Sequence, residues 1–96
     1  MNIKITKLDE KRILDYGFEP CGDSWYRKLI PKTFRGKYWL YICPDDIYGI
    51  FQGMSSPQEH ELPSFLDKMR FKAPEAAQAC INLIKQLKTD GVIDYE

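Results

Sequence analysis

Few side chains in the sequence are suited to acid–base or metal chemistry. The chain has one histidine, His60, which stands between Glu59 and Glu61. A general base must lie within about 3 Å of the group it serves, and the sequence offers this histidine no fixed partner. Asp45 and Asp46 could bind a cation, but adjacent aspartates also stabilise a turn through hydrogen bonds to the backbone. We therefore predict no catalytic residue, no metal site and no cofactor.

The three cysteines, Cys21, Cys43 and Cys80, are odd in number and widely spaced. They form no Cys-x-x-Cys pair that would indicate zinc, and they occupy positions typical of small buried residues. Free thiols fit a reducing cytosol best. The N-terminus lacks the apolar core of a signal peptide, and no apolar run approaches the ~20 residues that span a membrane. We predict a cytoplasmic protein that is not an enzyme and does not enter a membrane.

The middle of the chain is basic, although the net charge of the whole chain is zero. No Asp or Glu lies between Asp23 and Asp45, and the basic residues there are interleaved with aromatic ones. Such a surface could stack nucleic-acid bases on its rings and bind phosphates through Lys and Arg. The candidate binding residues are Trp25, Arg27, Lys28, Lys32, Phe34, Arg35, Lys37 and Trp39.

Two other interpretations of this basic-aromatic stretch stay open. Lysines and arginines also line sheet edges, where they discourage edge-to-edge pairing. The two tryptophans could instead pack in the core, since a small domain rarely leaves two tryptophans outside its core. A net charge of zero is also unusual for a dedicated nucleic-acid binder. The solvent exposure of Trp25 and Trp39 distinguishes these interpretations, because stacking on bases requires accessible rings.

Three runs rich in aromatic and β-branched residues predict strands, since such side chains suit a pleated, half-buried surface. They cover residues 25–30, 38–43 and 47–51. A basic connection over residues 31–36 joins the first two strands, and a Pro-Asp-Asp turn joins the second and third. We predict that the three strands form an antiparallel meander.

The pairing of the second and third strands depends on the loop between them. With a two-residue loop at Asp45-Asp46, Leu40 pairs with Phe51 and Ile42 pairs with Gly49. One face then carries Tyr38, Leu40, Ile42 and Phe51, and the other carries Trp39, Tyr41, Tyr48 and Ile50. A three-residue loop would move the side chains of the third strand to the opposite faces, but both faces would still be apolar. A sheet with one wet face would alternate more cleanly between apolar and polar residues. We therefore expect a helix, a second copy of the chain or a ligand to cover the second face.

Helices are predicted towards both ends of the chain. Thr6 as N-cap and Gly17 as a left-handed end residue bracket an amphipathic helix over residues 7–16. Pro74 suits the first turn of a C-terminal helix that Gly91 ends. The apolar stripe of that helix consists of Ala76, Ala77, Cys80, Leu83, Ile84 and Leu87. Residues 53–61 are predicted as a loop and residues 92–96 as a docked tail. Residues 62–71 are predicted as one or two helical turns that Ser64 caps, with a short edge strand over residues 69–71 as the alternative.

Most of the chain resembles small proteins of unknown function from bacterial prophages and mobile elements. The resemblance rests on Leu14-Asp15-Tyr16-Gly17-Phe18, then Trp25-Tyr26, then alternating aromatic strands and a closing alanine-rich helix. It implies a cytoplasmic accessory protein, and it carries over no catalytic or binding residue.

These patterns predict one α+β domain over residues 1–96. It has an N-terminal helix, a three-stranded antiparallel meander and a C-terminal helix packed on the sheet. The predicted function is a non-enzymatic module that binds a protein partner or a second copy of itself. The alternative is binding of single-stranded nucleic acid through the basic-aromatic strand surface.

Overall fold

A computed structural model describes residues 4–33, 36–52 and 58–96 of the chain. Its elements are, in chain order, β1 (Ile5–Leu8), a 3₁₀ helix (Arg12–Tyr16), β2 (Glu19–Pro20), β3 (Tyr26–Thr33), β4 (Gly36–Cys43), β5 (Asp46–Gln52), β6 (Gln58–Glu61), α1 (Leu62–Lys72), α2 (Pro74–Thr89) and β7 (Ile93–Tyr95). Strands β2 to β6 form one antiparallel sheet in sequential order, and β1 pairs with β7 in a second sheet. The predicted α+β class is confirmed.

The predicted N-terminal helix over residues 7–16 is wrong. Thr6 lies inside β1, which pairs with the C-terminal strand β7, and only the second half of the segment turns, as a 3₁₀ helix. The Asp9 carboxylate accepts hydrogen bonds from the backbone N–H groups of Lys11 and Arg12 before that turn. Gly17 ends it in the left-handed conformation, as predicted. The pairing partner of β1 lies at the other end of the chain, so local periodicity could not reveal it.

The predicted three-stranded meander is the centre of a larger sheet. The two-residue strand β2 adds to β3, and β6 adds to β5. Strand β6 lies in the segment 53–61 that was predicted as a loop, and residues 53–57 of that segment lie outside the described residues. The sequence Gln-Glu-His-Glu has low strand propensity, but a polar, charged strand is common at a sheet edge, where it discourages further pairing.

The register between β4 and β5 differs by two residues from the prediction. Leu40 pairs with Gly49 and Ile42 with Ile47, because the turn closes one residue earlier, between Cys43 and Asp46. Side chains alternate with a period of two, so a two-residue shift keeps each residue on its predicted face. The division into two faces is therefore correct for the side chains that the structure describes, although the pairing is not.

The two α-helices follow the sheet and meet at Ala73. Helix α1 has 11 residues, more than the predicted one or two turns, and it begins after Glu61 instead of at Ser64. Helix α2 begins at Pro74 as predicted, and the tail docks as β7, with Ile93 buried. Neither helix in the described part of the chain is long and apolar enough to cross a membrane.

The core lies between the two helices and one face of the sheet, here called the inner face. Ile30, Tyr38, Leu40 and Ile42 point into it and are 0–3% exposed. The ring of Phe65 from α1 rests directly on Gly49 of β5, where an added Cβ would stand 2.1 Å from the ring. A side chain at position 49 would therefore displace the helix from the sheet.

Candidate functional site

The opposite side of the five-stranded sheet, here called the outer face, carries four of the eight residues of the predicted basic-aromatic surface. Its positions alternate with the buried ones along each strand, because successive side chains point to opposite faces. Among the side chains whose burial the structure describes, those of this face are half-buried or exposed, with the exception of Cys43. The apolar and aromatic ones are Trp25, Leu29, Trp39, Tyr41, Tyr48 and Ile50.

A chain of aromatic contacts runs across this face. The ring of Trp25 meets the ring of Tyr48 edge-on, with their centroids 5.0 Å apart. The ring of Tyr48 stacks on that of Tyr41 at 5.1 Å and an interplanar angle of 8°. Trp25 precedes β3 whereas Tyr48 lies on β5, so the Trp25 side chain reaches across β4. Cys43 on β4 is only 5% exposed on an otherwise accessible face.

Arg27 connects the aromatic chain to the edge of the sheet. Its Nε donates a hydrogen bond to Glu19 Oε1 at 2.6 Å, and its Nη1 donates to the Tyr41 hydroxyl at 3.4 Å. Its guanidinium carbon lies 4.5 Å from the centroid of the Trp39 ring. The hydrogen bonds to Tyr41 and Glu19 raise the pKa of Arg27 above its ordinary value. Contacts with Glu19, Tyr41 and Trp39 thus hold the guanidinium in place, and the Glu19 carboxylate neutralises its charge.

The structure divides the predicted binding residues. Trp25, Arg27, Lys37 and Trp39 share the outer face. Lys28 points to the other side of β3, where its Nζ donates a hydrogen bond to the Tyr16 carbonyl oxygen. Arg27 and Lys28 are consecutive in one strand and must therefore face opposite sides. The remaining candidates, namely the Lys32 side chain, Phe34 and Arg35, lie outside the described residues.

Sequence reasoning missed three contributors to this cluster. Tyr41 and Tyr48 were assigned to the correct face by alternation, but they were not included in the candidate site. No sequence pattern around Glu19 marks it as a site residue. Glu19 contacts Arg27 because Glu19 and Pro20 form the short strand β2, which pairs with β3. The missing information was the pairing of β2 with β3, which a non-local contact decides.

The chain matches no known family model, and neither a curated protein nor a solved structure matches it. The function must therefore be inferred from the geometry of the molecule.

The cysteines are not suited to nucleophilic catalysis at neutral pH. Burial, together with a hydrogen bond to Asp45, raises the pKa of the Cys43 thiol to about 11. Burial raises the pKa of Cys80 to about 12 and also raises that of the exposed Cys21. The reactive form of cysteine is the thiolate, so all three are mainly protonated and weakly reactive at pH 7.

The described residues do not bring metal-ligating side chains together, and the one depression described for them is small. Within residues 4–33, 36–52 and 58–96, no three His, Cys, Asp or Glu side chains converge on a point where a metal could bind. A depression of about 160 Å³ is lined by Lys7, Lys88, Gly91, Ile93 and Asp94. It is smaller than the roughly 300 Å³ at which small-molecule sites begin. Its Lys88 ammonium already contacts Asp94 at 3.9 Å and the Tyr95 ring at 4.1 Å.

Proposed function

We propose that the protein is a non-enzymatic module that binds a protein partner or a second copy of itself through the outer face. The observation that carries this proposal is the connected set of half-buried side chains on that face, centred on Trp25, Arg27, Trp39, Tyr41 and Tyr48. Trp, Tyr and Arg are the residue types that contribute most binding energy in protein interfaces. An antiparallel sheet face meant only for water would be polar.

The contacts within this cluster also favour binding. Each ring is held by another ring or by the Arg27 guanidinium, and Arg27 is fixed by Glu19. Side chains that are ordered before association lose little conformational entropy when a partner arrives. A partner could therefore gain most of the contact energy of these rings.

Binding of single-stranded nucleic acid is the second candidate. It is favoured by the partial exposure of Trp25 and Trp39 and by the Arg27 guanidinium 4.5 Å from the Trp39 ring. The salt bridge from Arg27 to Glu19 counts against it, since a phosphate would have to compete with a carboxylate at 2.6 Å. Fluorescence anisotropy with mixed-sequence oligonucleotides tests it. Binding that weakens steeply with salt supports this function, and no binding at low salt contradicts it.

We also propose that the protein works in the cytoplasm, as a small accessory protein of bacterial or prophage origin. The free thiols of Cys21, Cys43 and Cys80 support a reducing compartment. The proposed origin rests on the resemblance in sequence order alone.

Site-specific photo-crosslinking tests the proposed interface. Benzoylphenylalanine replaces Leu29, which is 36% exposed on the outer face, and in a matched control it replaces Leu14, which is 45% exposed on the 3₁₀ helix. We expect irradiation, in purified solution and in extract, to give protein adducts from position 29 in large excess over position 14. Equal yields from both positions would contradict the proposal, and adducts removed by nuclease would support the alternative.

A further inference from the structure

One row of outer-face residues crosses all five strands of the central sheet. Its members pair directly with one another from strand to strand, and they are, in order, Glu19, Arg27, Tyr41, Tyr48 and Glu61. Neighbouring strands lie about 4.8 Å apart, so the whole row spans roughly 19 Å. The row therefore begins and ends with a carboxylate and has aromatic rings at its centre.

The two ends of this row differ in how their carboxylates are paired. At the β2 end, Arg27 donates a hydrogen bond to Glu19 at 2.6 Å, and its guanidinium carbon lies 4.5 Å from the Trp39 ring centroid. At the β6 end, Glu61 is exposed, and among the residues that the structure describes no Lys or Arg forms an ion pair with it. Glu61 is the N-cap of α1, but its side chain makes no capping hydrogen bond.

Further carboxylates lie near Glu61 on this part of the outer face. Asp46 begins β5, and Asp45 precedes it in the turn, and both are exposed. Within the described parts of the chain, neither forms an ion pair with Lys or Arg. The pairing of β5 with β6 also places position 59, a second glutamate of β6, on the outer face.

The chain supplies little positive charge to balance these carboxylates. The sequence has no Lys or Arg from residue 38 to residue 67, a stretch that contains both β5 and β6. On the described part of the outer face the basic residues are Arg27, which Glu19 engages, and Lys37. Lys37 lies about 16 Å from Glu61 by the strand spacings, which is about twice the screening length at physiological ionic strength. The outer face over β5 and β6 is therefore acidic.

Resting on the function proposed above, we propose that the occupant of the outer face is a basic segment of a partner protein, which places an arginine between Glu61 and the aromatic chain of Trp25, Tyr48 and Tyr41. This arginine has at the β6 end the role that Arg27 has at the β2 end. Its planar guanidinium pairs with a carboxylate and stacks on an aromatic ring, two contacts that arginine can make together.

A second basic residue of the same segment fits the carboxylates of the turn. Asp46 lies about 8 Å from Glu61 by the strand spacings, close to the ~7 Å between alternate residues of an extended segment. A segment with basic residues at alternate positions can therefore contact both carboxylates while its other side chains cover the rings.

The same charges disfavour the other occupants of this face. A nucleic acid would bring its phosphates against Asp45, Asp46 and Glu61. A second copy that used the same face would bring one described cation without a carboxylate partner, Lys37, against these three exposed carboxylates.

Peptide binding tests this inference. The protein is titrated into a short fluorescein-labelled peptide in which Arg and Leu alternate, and into matched peptides with Lys, Gln or Glu in place of Arg. We expect fluorescence anisotropy to give a dissociation constant on the order of 10–100 µM for the Arg peptide. The Lys peptide should bind several-fold more weakly, because an ammonium group cannot form the planar fork. The Gln and Glu peptides should bind at least about tenfold more weakly.

A matched pair of charge reversals locates the binding site. Glu61→Lys should weaken binding of the Arg peptide at least about tenfold. Glu75→Lys makes the same change in net charge at an exposed position of α2, on the opposite side of the sheet, and should change binding by less than about twofold. Circular dichroism checks that each variant folds. If Glu61→Lys does not fold, Glu61→Gln and Asp46→Asn replace it, with Glu75→Gln as their control.

Equal binding of the Arg and Glu peptides would overturn the inference, and so would equal losses from Glu61→Lys and Glu75→Lys. Crosslinking at position 29 separates these failures from a failure of the proposed function. An excess of adducts over position 14 without Arg-dependent binding would retain the outer face as a binding surface for a partner of different chemistry or for a second copy. The absence of both the excess and the peptide binding would remove both proposals.

Discussion

The two faces of the central sheet are both rich in apolar residues, but they are in different environments. On the inner face Tyr38, Leu40 and Ile42 are 0–3% exposed beneath the helices. On the outer face Trp39 and Tyr41, from the same strand, are only half-buried. The inner face is therefore part of the buried core, whose apolar burial stabilises the fold. The outer face holds apolar area that folding leaves partly in water, and this area is available to a partner.

The sharpest test of this comparison uses two neighbours in β3 that face opposite ways. Ile30 is 2% exposed on the inner face, and Leu29 is 36% exposed on the outer face. Ile30→Ala should lower the free energy of unfolding by about 2–5 kcal/mol, because it leaves a cavity in a packed core. Leu29→Ala should lower it by less than about 1 kcal/mol, close to the range of surface substitutions. Urea unfolding measured by circular dichroism gives both values, and equal losses would contradict the distinction.

The contact between α1 and the inner face gives the next largest effect. Gly49→Ala places a Cβ 2.1 Å from the Phe65 ring, and overpacking of this kind costs about 1–3 kcal/mol. The same substitution should cost less in a Phe65→Leu background, because the smaller side chain can move aside. A double-mutant cycle from unfolding curves measures this coupling, and additive effects would show that Phe65 does not rest on Gly49.

The smallest expected effect concerns a hydrogen bond on the helical side of the molecule. Hydrogen bonds from Gln86 and from the Tyr16 hydroxyl lower the pKa of the Asp90 carboxyl below its ordinary value of 3.8. Because the pKa of Asp90 is lower in the folded state than in the unfolded state, its ionised carboxylate stabilises the fold at pH values above the unfolded-state pKa. This stabilisation is lost as the pH falls through the folded-state pKa and the carboxylate is protonated. Tyr16→Phe should therefore reduce stability slightly at pH 7.

The difference between Tyr16→Phe and the wild type should shrink as the pH falls through the pKa of folded Asp90. Thermal unfolding from pH 7 to about pH 2, well below the ordinary carboxyl pKa range, measures it. A difference that stays constant over this range would show that the Tyr16–Asp90 hydrogen bond does not depend on the carboxylate charge. The Tyr16 backbone contacts Lys28 on the side of β3 opposite the outer face, so binding through the outer face should be unchanged in this variant.

The parts of the fold that the sequence predicted correctly depend on local periodicity. Pro74 and the apolar stripe of α2 mark a helix without reference to any other segment. The alternation along β4 and β5 assigned Trp39 and Tyr41 to one face, even though the predicted pairing was two residues out of register.

The parts that were missed depend on contacts between distant segments. Strand β1 forms by pairing with β7, at the other end of the chain. Strand β6, with the sequence Gln-Glu-His-Glu, forms by pairing with the edge of β5. The candidate site shows the same limit. Alternation could have separated Lys28 from Arg27, but only the pairing of β2 with β3 brings Glu19 to Arg27 and neutralises it.

The fluorescence of the two tryptophans tests the central claim most directly, because Trp25 and Trp39 are the only tryptophans and both lie on the outer face. Acrylamide quenching is measured as the concentration of the unlabelled Arg-Leu peptide rises from about 1 µM to about 1 mM. We predict that the quenching constant falls and the emission shifts to the blue as the outer face is covered. The proposal that the outer face binds a protein would be contradicted if the quenching constant stayed the same over the whole range. The quenching constant would also have to stay the same when other proteins are added.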